Sequence, residues 1–173
     1  TYSFAAPGQD TQRSSRLIPT ASIDAGMVLE REASLFGRAQ RQTLEPRLLY
    51  VNTPYRNQSA LPNFDAAERD FNAVSIYAEN AFTGIDRVSD AHQLTAGFTT
   101  RLVDQATGAE TLRLGVAQRF RLRDQRVVLT GDVLTQRFSD VLVEGSTSVF
   151  NPWRLDAALQ YNPDERRVER SIV

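Results

Sequence analysis

Apolar and polar residues alternate with a period of two along most of this chain. From Arg16 to Glu30 the odd positions carry Leu17, Ala21, Ile23, Ala25, Met27 and Leu29, while the even ones include Thr20, Ser22, Asp24 and Glu30. "QTLEPRLLY" sets Leu44, Pro46, Leu48 and Tyr50 against Thr43, Glu45 and Arg47. "HQLTAGFTTRL" sets Leu94, Ala96, Phe98 and Leu102 against Gln93, Thr95, Thr99 and Arg101. "TLRLGVAQRFRL", "DVLVEGSTSVF" and "WRLDAALQY" repeat the pattern, with Arg113, Arg119, Arg121, Glu144, Arg154 and Asp156 on their polar parity. Successive side chains of a strand leave opposite faces of the pleat, so each run predicts a strand. A weaker strand is expected over Phe71 to Ala78 and another from Arg167, which gives about seven or eight strands and no helix.

The connections differ in character. "DQATGAE" and "NPW" read as tight turns. "REASLFGRAQ", "ENAFTGIDRVSDA" and "RDQRVVLTGDVLTQRFS" read as longer polar loops. An up-and-down order places these two sets at opposite ends of the sheet. The segment Asn52 to Arg69 breaks that order, being long yet on the short-turn side by parity; it either folds inward or contains a further short strand. Pro46 lies within a strand and has no N–H for the ladder, which predicts a bulge or kink. Glu45 and Arg47 share the opposite face, where each can pair with an opposite charge on a neighbouring strand.

Two kinds of sheet carry this alternation. A soluble antiparallel sheet puts its apolar face on a core; a transmembrane barrel puts it on lipid and turns the polar face to an aqueous lumen. Three details favour the second. The alternating runs are about 9 to 13 residues long, near the ~9–11 of a tilted spanning strand. Trp153 and Tyr161 bracket one apolar face, roughly 20 Å apart along the membrane normal at ~3.3 Å per residue and a ~40° tilt. Charges of both signs occupy the polar face in mid-strand.

Composition narrows the classes further. The 173 residues suffice for one domain with a core. A net charge of −1 gives no global attraction for nucleic acid. Every one of the 20 basic residues is arginine, whose planar fork suits carboxylate and phosphate. With no cysteine there is no disulfide framework, thiolate metal site or cysteine nucleophile. No run is apolar for the ~18 residues of a spanning helix, a test that transmembrane strands escape. "TYSFAAPGQD" has neither the basic nor the apolar region of a signal peptide, so any export signal is expected outside this sequence.

The blocks "QTLEPRLLYVNTPYRNQS" and "AENAFTGIDRVSDAHQLTAGFTTRL" closely resemble the barrel of the lipopolysaccharide-assembly outer-membrane proteins, the LptD (OstA/Imp) family. The family pattern reads approximately Q-T-L-E-P-R, P-Y-R-x-Q-S, E-N-x-F-S-G-x-D-R and D-A-N-Q. It is met by Gln42 to Arg47, by Pro54, Tyr55, Arg56, Gln58 and Ser59, by Glu79, Asn80, Phe82, Gly84, Asp86 and Arg87, and by Asp90, Ala91 and Gln93. "GAETLRLGVAQRF" and "WRLDAALQYNPDERRVER" resemble later strands, so the likeness covers nearly the whole chain. Ala78 and Ala81 stand where basic residues are expected, and His92 stands for an asparagine.

The resemblance implies an all-β fold: part of an even-stranded, antiparallel up-and-down barrel in the cell outer membrane of a Gram-negative bacterium, passing lipopolysaccharide to the outer leaflet. It implies a lipoprotein plug (LptE-like) and a periplasmic lipopolysaccharide-bridge protein (LptA-like) that engages an N-terminal domain absent from this chain. Residues 1–173 are then a single segment of the barrel domain, without the terminal strands that bear the lateral gate; "RRVERSIV" stops within an expected strand. Catalytic residues, metals and cofactors are not expected. The alternatives are a soluble antiparallel β-domain binding a ligand or protein partner on its charged face, and an outer-membrane hydrolase.

Lumen-facing candidates are Glu45, Arg47, Gln93, Arg101, Arg113, Arg119, Arg121, Glu144 and Asp156. The ladder Arg113, Arg119 and Arg121, with Arg123 beyond it, offers charge-assisted contacts to lipid A phosphates. Its plainer reading, preferred here, is a solvated face balanced by Glu144 and Asp156. No stacking aromatic stands beside the ladder on its own face, and the net charge is slightly acidic, which argues against nucleic acid. Pro46 is read as a bend rather than a ligand contact. The motif residues Pro54, Tyr55, Arg56, Gln58, Asn80, Gly84, Asp86, Arg87 and Asp90 are expected in loops, either tying them to the lumen or plug or ordering the loops themselves. Ser89, Asp90 and His92 lie close in sequence, but no nucleophile elbow accompanies them, and His92 is read as a loop histidine. "ATGAE" has no phosphate-loop lysine and is a turn.

Overall fold

The computed structural model describes residues 2–4, 12–35, 37–149 and 152–172. Strands β1 (Tyr2–Phe4) and β2 (Gln12–Ser14) pair as a small antiparallel ribbon. The main sheet holds β3 (Ala21–Gly26), β4 (Leu29–Leu35), β5 (Arg38–Thr53), β6 (Ala91–Asp104), β7 (Glu110–Arg121), β8 (Val141–Thr147), β9 (Leu155–Asn162) and β10 (Arg167–Ile172). All pairings are antiparallel, and from β5 to β10 each strand lies beside its neighbour in sequence. The all-β, up-and-down class expected from the alternation is therefore what the chain adopts. Among the described residues the sheet is open, with β3 and β4 along one edge and β10 at the other. Its central strands are long: β5, β6 and β7 run 16, 14 and 12 residues, against the ~5–6 of an average strand. No helix is long and apolar enough to cross a membrane, which says nothing about strands.

Two elements differ from expectation. Phe71 to Ala78 is not a strand; it holds a single 3-10 turn, Ser75–Tyr77. Asn72 explains the difference, because its Oδ1 accepts the Val74 and Ser75 N–H groups at 2.9 Å each. Such a local side-chain bond offers the backbone an alternative to a ladder. "REASLFGRAQ" is not a loop but β4 and the start of β5, joined through Gly37 at φ 72°. A positive φ costs glycine little, which makes this sharp reversal possible.

With these corrections the anomaly in the connections disappears. Turns after β4, β6 and β8 lie at one end of the sheet. The long connections 54–90 and 122–140, with the 163–166 turn, lie at the other. The expected "NPW" turn begins at Asn151, outside the described residues. The segment 54–90 folds inward, across one face of the sheet.

Pro46 causes no bulge. Its register with β6 is unbroken, Glu45↔Thr99, Pro46↔Phe98 and Arg47↔Gly97. Its carbonyl accepts the Met27 N–H at 3.2 Å, so its nitrogen, which has no hydrogen to give, faces the same neighbour. The consequence falls on that neighbour. The edge strand is interrupted at Met27 and Val28 and divides into β3 and β4, while Gly26↔Arg47 and Leu29↔Leu44 keep one register across the gap.

The two faces of the sheet have opposite fates. The apolar parity is bare along the middle of the sheet, where Ile23 is 69% exposed, Phe98 48% and Leu48 44%, while Leu102 near the end of β6 is buried. The mixed parity lies beneath the 54–90 connection, where Val51 and Thr95 are fully buried and Leu49 is nearly so. Two small apolar clusters join connection and sheet. One is Leu49, Val51 and Ala91 against Tyr77; the other is Ile76, Ala117 and Leu142 against Phe71 and Tyr77.

Candidate functional site

Strand register brings the sequence-derived polar candidates onto the covered face. Glu45 stands opposite Thr99, Arg47 opposite Gly97, Gln93 opposite Arg121 and Arg101 opposite Arg113. Arg119 stands opposite Thr95, Glu144 opposite Gly115 and Asp156 opposite Ser146. They form several local arrangements rather than one constellation.

The first is a clamp on the covering connection. Arg47 donates from Nε and Nη2 to the Asp24 carboxylate at 3.0 and 2.6 Å, and its guanidinium lies 4.3 Å from the Tyr77 ring centroid. Tyr77 fits because Gly97 has no side chain: a Cβ there would collide with the phenol oxygen and sit 2.6 Å from the Val116 carbonyl. Burial pushes the Tyr77 phenol above its ordinary pKa. Deeper in, Arg119 donates to the Ile76 carbonyl at 2.5 Å, and Thr95 Oγ1 donates to the same oxygen at 3.2 Å.

The second is a chain of ion pairs: Glu45–Arg101 at 3.2 Å, Arg101–Glu110 at 3.7 Å and Glu110–Arg113 at 3.0 Å. Glu110 lies between two arginines that face each other across β6 and β7, and so offsets a like-charge pair. A cavity of 560 Å³ opens beside this chain, lined among others by Asp24, Glu45, Arg47, Tyr77, Arg101 and Glu144. Glu144 packs over Gly115, with no hydrogen bond or ion pair among the described residues.

The arginine ladder is therefore not the solvated face that its spacing suggested. Arg113 pairs with Glu110, Arg119 is buried under the connection, and Asp156 is taken by Arg154 at 2.9 Å. Parity assigned the face correctly, but the partners depend on which segment covers it.

The motif residues mostly order the loops themselves. Gln58 is buried; its Nε2 donates to the Val88 carbonyl at 2.7 Å and its Oε1 accepts the Val88 N–H at 3.2 Å. Asn80 Oδ1 accepts the Ser89 N–H at 2.9 Å, and its Nδ2 donates to the Arg87 carbonyl at 3.0 Å. Asp86 Oδ2 accepts the Phe64 and Asp65 N–H groups at 2.6 and 3.0 Å. Gly84, at φ 68°, leaves room for Asp65, whose Oδ1 would lie 2.5 Å from a Cβ there. Arg87 donates to the Leu61 carbonyl at 2.7 Å. Asp90 Oδ1 accepts the Arg126 and Val127 N–H groups at 2.9 and 2.7 Å, fastening one long connection to the other. Tyr55 stacks on the Arg126 guanidinium at 4.1 Å, Pro54 directly follows β5, and exposed Arg56 reaches only the Tyr55 carbonyl at 3.4 Å.

His92 belongs to β6 rather than to a loop; it pairs with Asn52 and meets the Tyr50 ring edge-on at 5.9 Å. No hydrogen bond links it to Ser89 or Asp90, so these residues form no proton relay. Among the described residues no group of His, Cys, Asp or Glu could hold a metal ion.

Arg16 and Tyr77 were not legible in the sequence, and Arg123 was legible only as the end of the arginine ladder. Arg16 donates to Gln58 Oε1 at 2.7 Å and to the Ile85 and Asp86 carbonyls, tying the segment before β3 to the covering connection. Arg123 donates to the Thr53 and Ala91 carbonyls where that connection leaves and rejoins the sheet. Tyr77 was hidden in an expected strand; the Asn72 turn signal before it could have found it.

The family model of LptD, LPS transport system D, matches residues 2–173. The chain is 51% identical to the LPS-assembly protein LptD of Polaromonas sp. (strain JS666) and 48% identical to that of Albidiferax ferrireducens, over 175 residues in each case. It is 45% identical to that of Paracidovorax citrulli over 173 residues. These matches take in 99–100% of this chain and 21–22% of each relative, so the chain spans about a fifth of the length of the curated relatives it matches. With a family match over nearly its whole length and relatives near half identity, the chain belongs to the LptD family.

Proposed function

We propose that this chain is a segment of the wall of an outer-membrane β-barrel that passes lipopolysaccharide to the outer leaflet. In this reading the bare apolar face meets lipid, the covered face lines the lumen, and the long connections lie at the extracellular end, since outer-membrane barrels keep their short turns in the periplasm. The carrying observation is the inverted polarity of the sheet. Ile23, Leu48 and Phe98 are exposed, whereas Gln93 is buried on the other face and Thr95 and Arg119 are buried beneath residues 54–90. A soluble sheet would bury the first set. The chain's part is positional: it supplies wall and lumen surface, and no residue acts as a chemical catalyst. A lipoprotein plug seated against the covered face, and a periplasmic bridge protein engaging another part of the full-length protein, complete the proposed assembly.

The test is site-specific photocrosslinking in the full-length protein in cells. A crosslinker at Thr99 or Gly115 should yield a lipopolysaccharide adduct that disappears when transport is blocked upstream. Absence of adducts from every covered-face position would refute the proposal.

A further inference from the structure

A cleft of 350 Å³ separates the two long connections. Its floor is the end of β7, where Arg119 and Arg121 lie two positions apart and so share a face. One wall carries the Glu68↔Phe82 bridge and the other the Gln125↔Leu134 bridge. Backbone hydrogen bonds hold both: Arg69 N–H to Ala81 O at 3.0 Å, Gln125 N–H to Leu134 O at 3.1 Å, and Leu134 N–H to Gln125 O at 3.0 Å. The cleft is thus built before anything enters it.

The floor carries more cationic donors than it uses. Arg119 is only 6% exposed; its Nε and Nη2 serve Thr95, Ser75 and Ile76, and its Nη1 has no partner among the described residues. Half-buried Arg121 donates from Nη1 to the Gln136 carbonyl at 3.3 Å, while its Nε is shut off from solvent with no acceptor. Neither forms an ion pair with a described carboxylate; Asp140 attracts Arg121 only from beyond ion-pair distance and is itself hydrogen-bonded by Gln160. Arg69, on the rim, uses only its Nε, toward the Phe82 carbonyl at 3.0 Å. The rim also carries Glu68 and Asp132, both exposed and without a hydrogen bond or ion pair among the described residues.

A guanidinium withdrawn from water without a counter-charge in contact is costly, and neutral carbonyls offset only part of that cost. Exposed rim carboxylates add little, because solvent screens them. A multidentate anion would complete the arrangement. Guanidiniums approaching from floor and rim need acceptors in several directions; a tetrahedral oxyanion has them and a planar carboxylate does not.

We propose that this cleft is a binding site for a phosphate-type oxyanion, held by Arg119 and Arg121 from the floor and Arg69 from the rim. The site goes beyond the transport reading, since it requires neither a lipid-facing surface nor a lumen. Its occupant is either inorganic phosphate or the phosphate of a lipid headgroup.

The test is equilibrium dialysis of radiolabelled inorganic phosphate against the full-length protein with its natural partners in detergent, at fixed ionic strength. Saturable binding is expected, weakened about tenfold by Arg121→Gln and less by Arg69→Gln, as loss of a charge-assisted contact requires. The Arg121 side chain makes only one hydrogen bond, to the Gln136 carbonyl, so the variant should fold; melting temperature checks this. Displacement of the label by a phosphorylated glycolipid would identify a headgroup site, and binding that the glycolipid leaves untouched would identify a free-anion site. Either outcome supports the cleft. The absence of saturable binding, or equal binding by the Arg121→Gln protein, would overturn it. So would a loss of thermal stability in Glu68→Gln/Asp132→Asn with phosphate binding unmoved, because the rim carboxylates would then be the counter-ions.

Discussion

The two faces of this sheet follow opposite rules. On the bare face, Ile23, Tyr50, Leu94 and Phe120 form one cross-strand row and Pro46, Phe98, Val116 and Val143 another, with no segment of the described chain laid over them. The covered face mixes charge, hydroxyl and glycine and is the better packed of the two, because the 54–90 connection lies across it. In a water-soluble sheet the apolar side would hold the fold together. Here what holds the described chain together is the backbone ladder and a polar interface with small apolar clusters set into it. Such a distribution is stable where the surroundings of the bare face are apolar, so that exposing Phe98 or Leu48 costs nothing.

The contrast can be broken from either side. The largest effect is expected at Ile76, which is fully buried between connection and sheet. Ile76→Ala should lower the free energy of denaturant unfolding by about 2–5 kcal/mol, the usual cost of such a cavity, whereas Leu48→Ala on the bare face should barely change it. Phe98→Arg comes next: a charge on the lipid side near mid-membrane costs about 2–4 kcal/mol, and its readout is a fall in membrane-assembled protein. The same arginine at Thr99, one residue on and facing the other way, should be tolerated far better. Gln58→Ala removes an amide bonded at both ends and should cost about 1–3 kcal/mol, seen as faster proteolysis of residues 54–90 with the strands still protected. The smallest change belongs to Arg154→Gln, whose exposed pair with Asp156 should leave the unfolding midpoint within error.

Legibility in the sequence followed the same division. Where the backbone alone decides, alternation sufficed: the face of every residue from Leu44 to Leu49 follows from parity, because a strand has only two sides. Pro46 shows the limit of that reasoning. Its missing donor was evident, but the side on which it would be missed depends on whether the residue's polar edge faces β3 and β4 or β6, which is a property of the register. The 54–90 connection was the least legible. Phe71 to Ala78 contains enough alternating apolar residues to pass for a strand, yet Asn72 and the seat left by Gly97 make it a turn that plugs into the sheet. That seat is formed by residues distant in sequence, and no local pattern reports it. The motif residues were recognisable as a group, while their work, ordering one loop and fastening it to another, became visible only through partners such as Val88, Ser89 and Val127.

What the bare face touches decides whether this sheet stands in lipid. Since the chain has no cysteine, single cysteines can be placed at each position from Gln93 to Leu102 of the full-length protein, labelled with an environment-sensitive probe and exposed to lipid-borne quenchers. The predicted result is quenching at Leu94, Ala96, Phe98 and Thr100, none at the odd positions between them, and none at Leu102, which is 4% exposed at the end of the strand. Escape from the quencher at Leu94, Ala96, Phe98 and Thr100, with a dry protein interior reported there, would contradict the account.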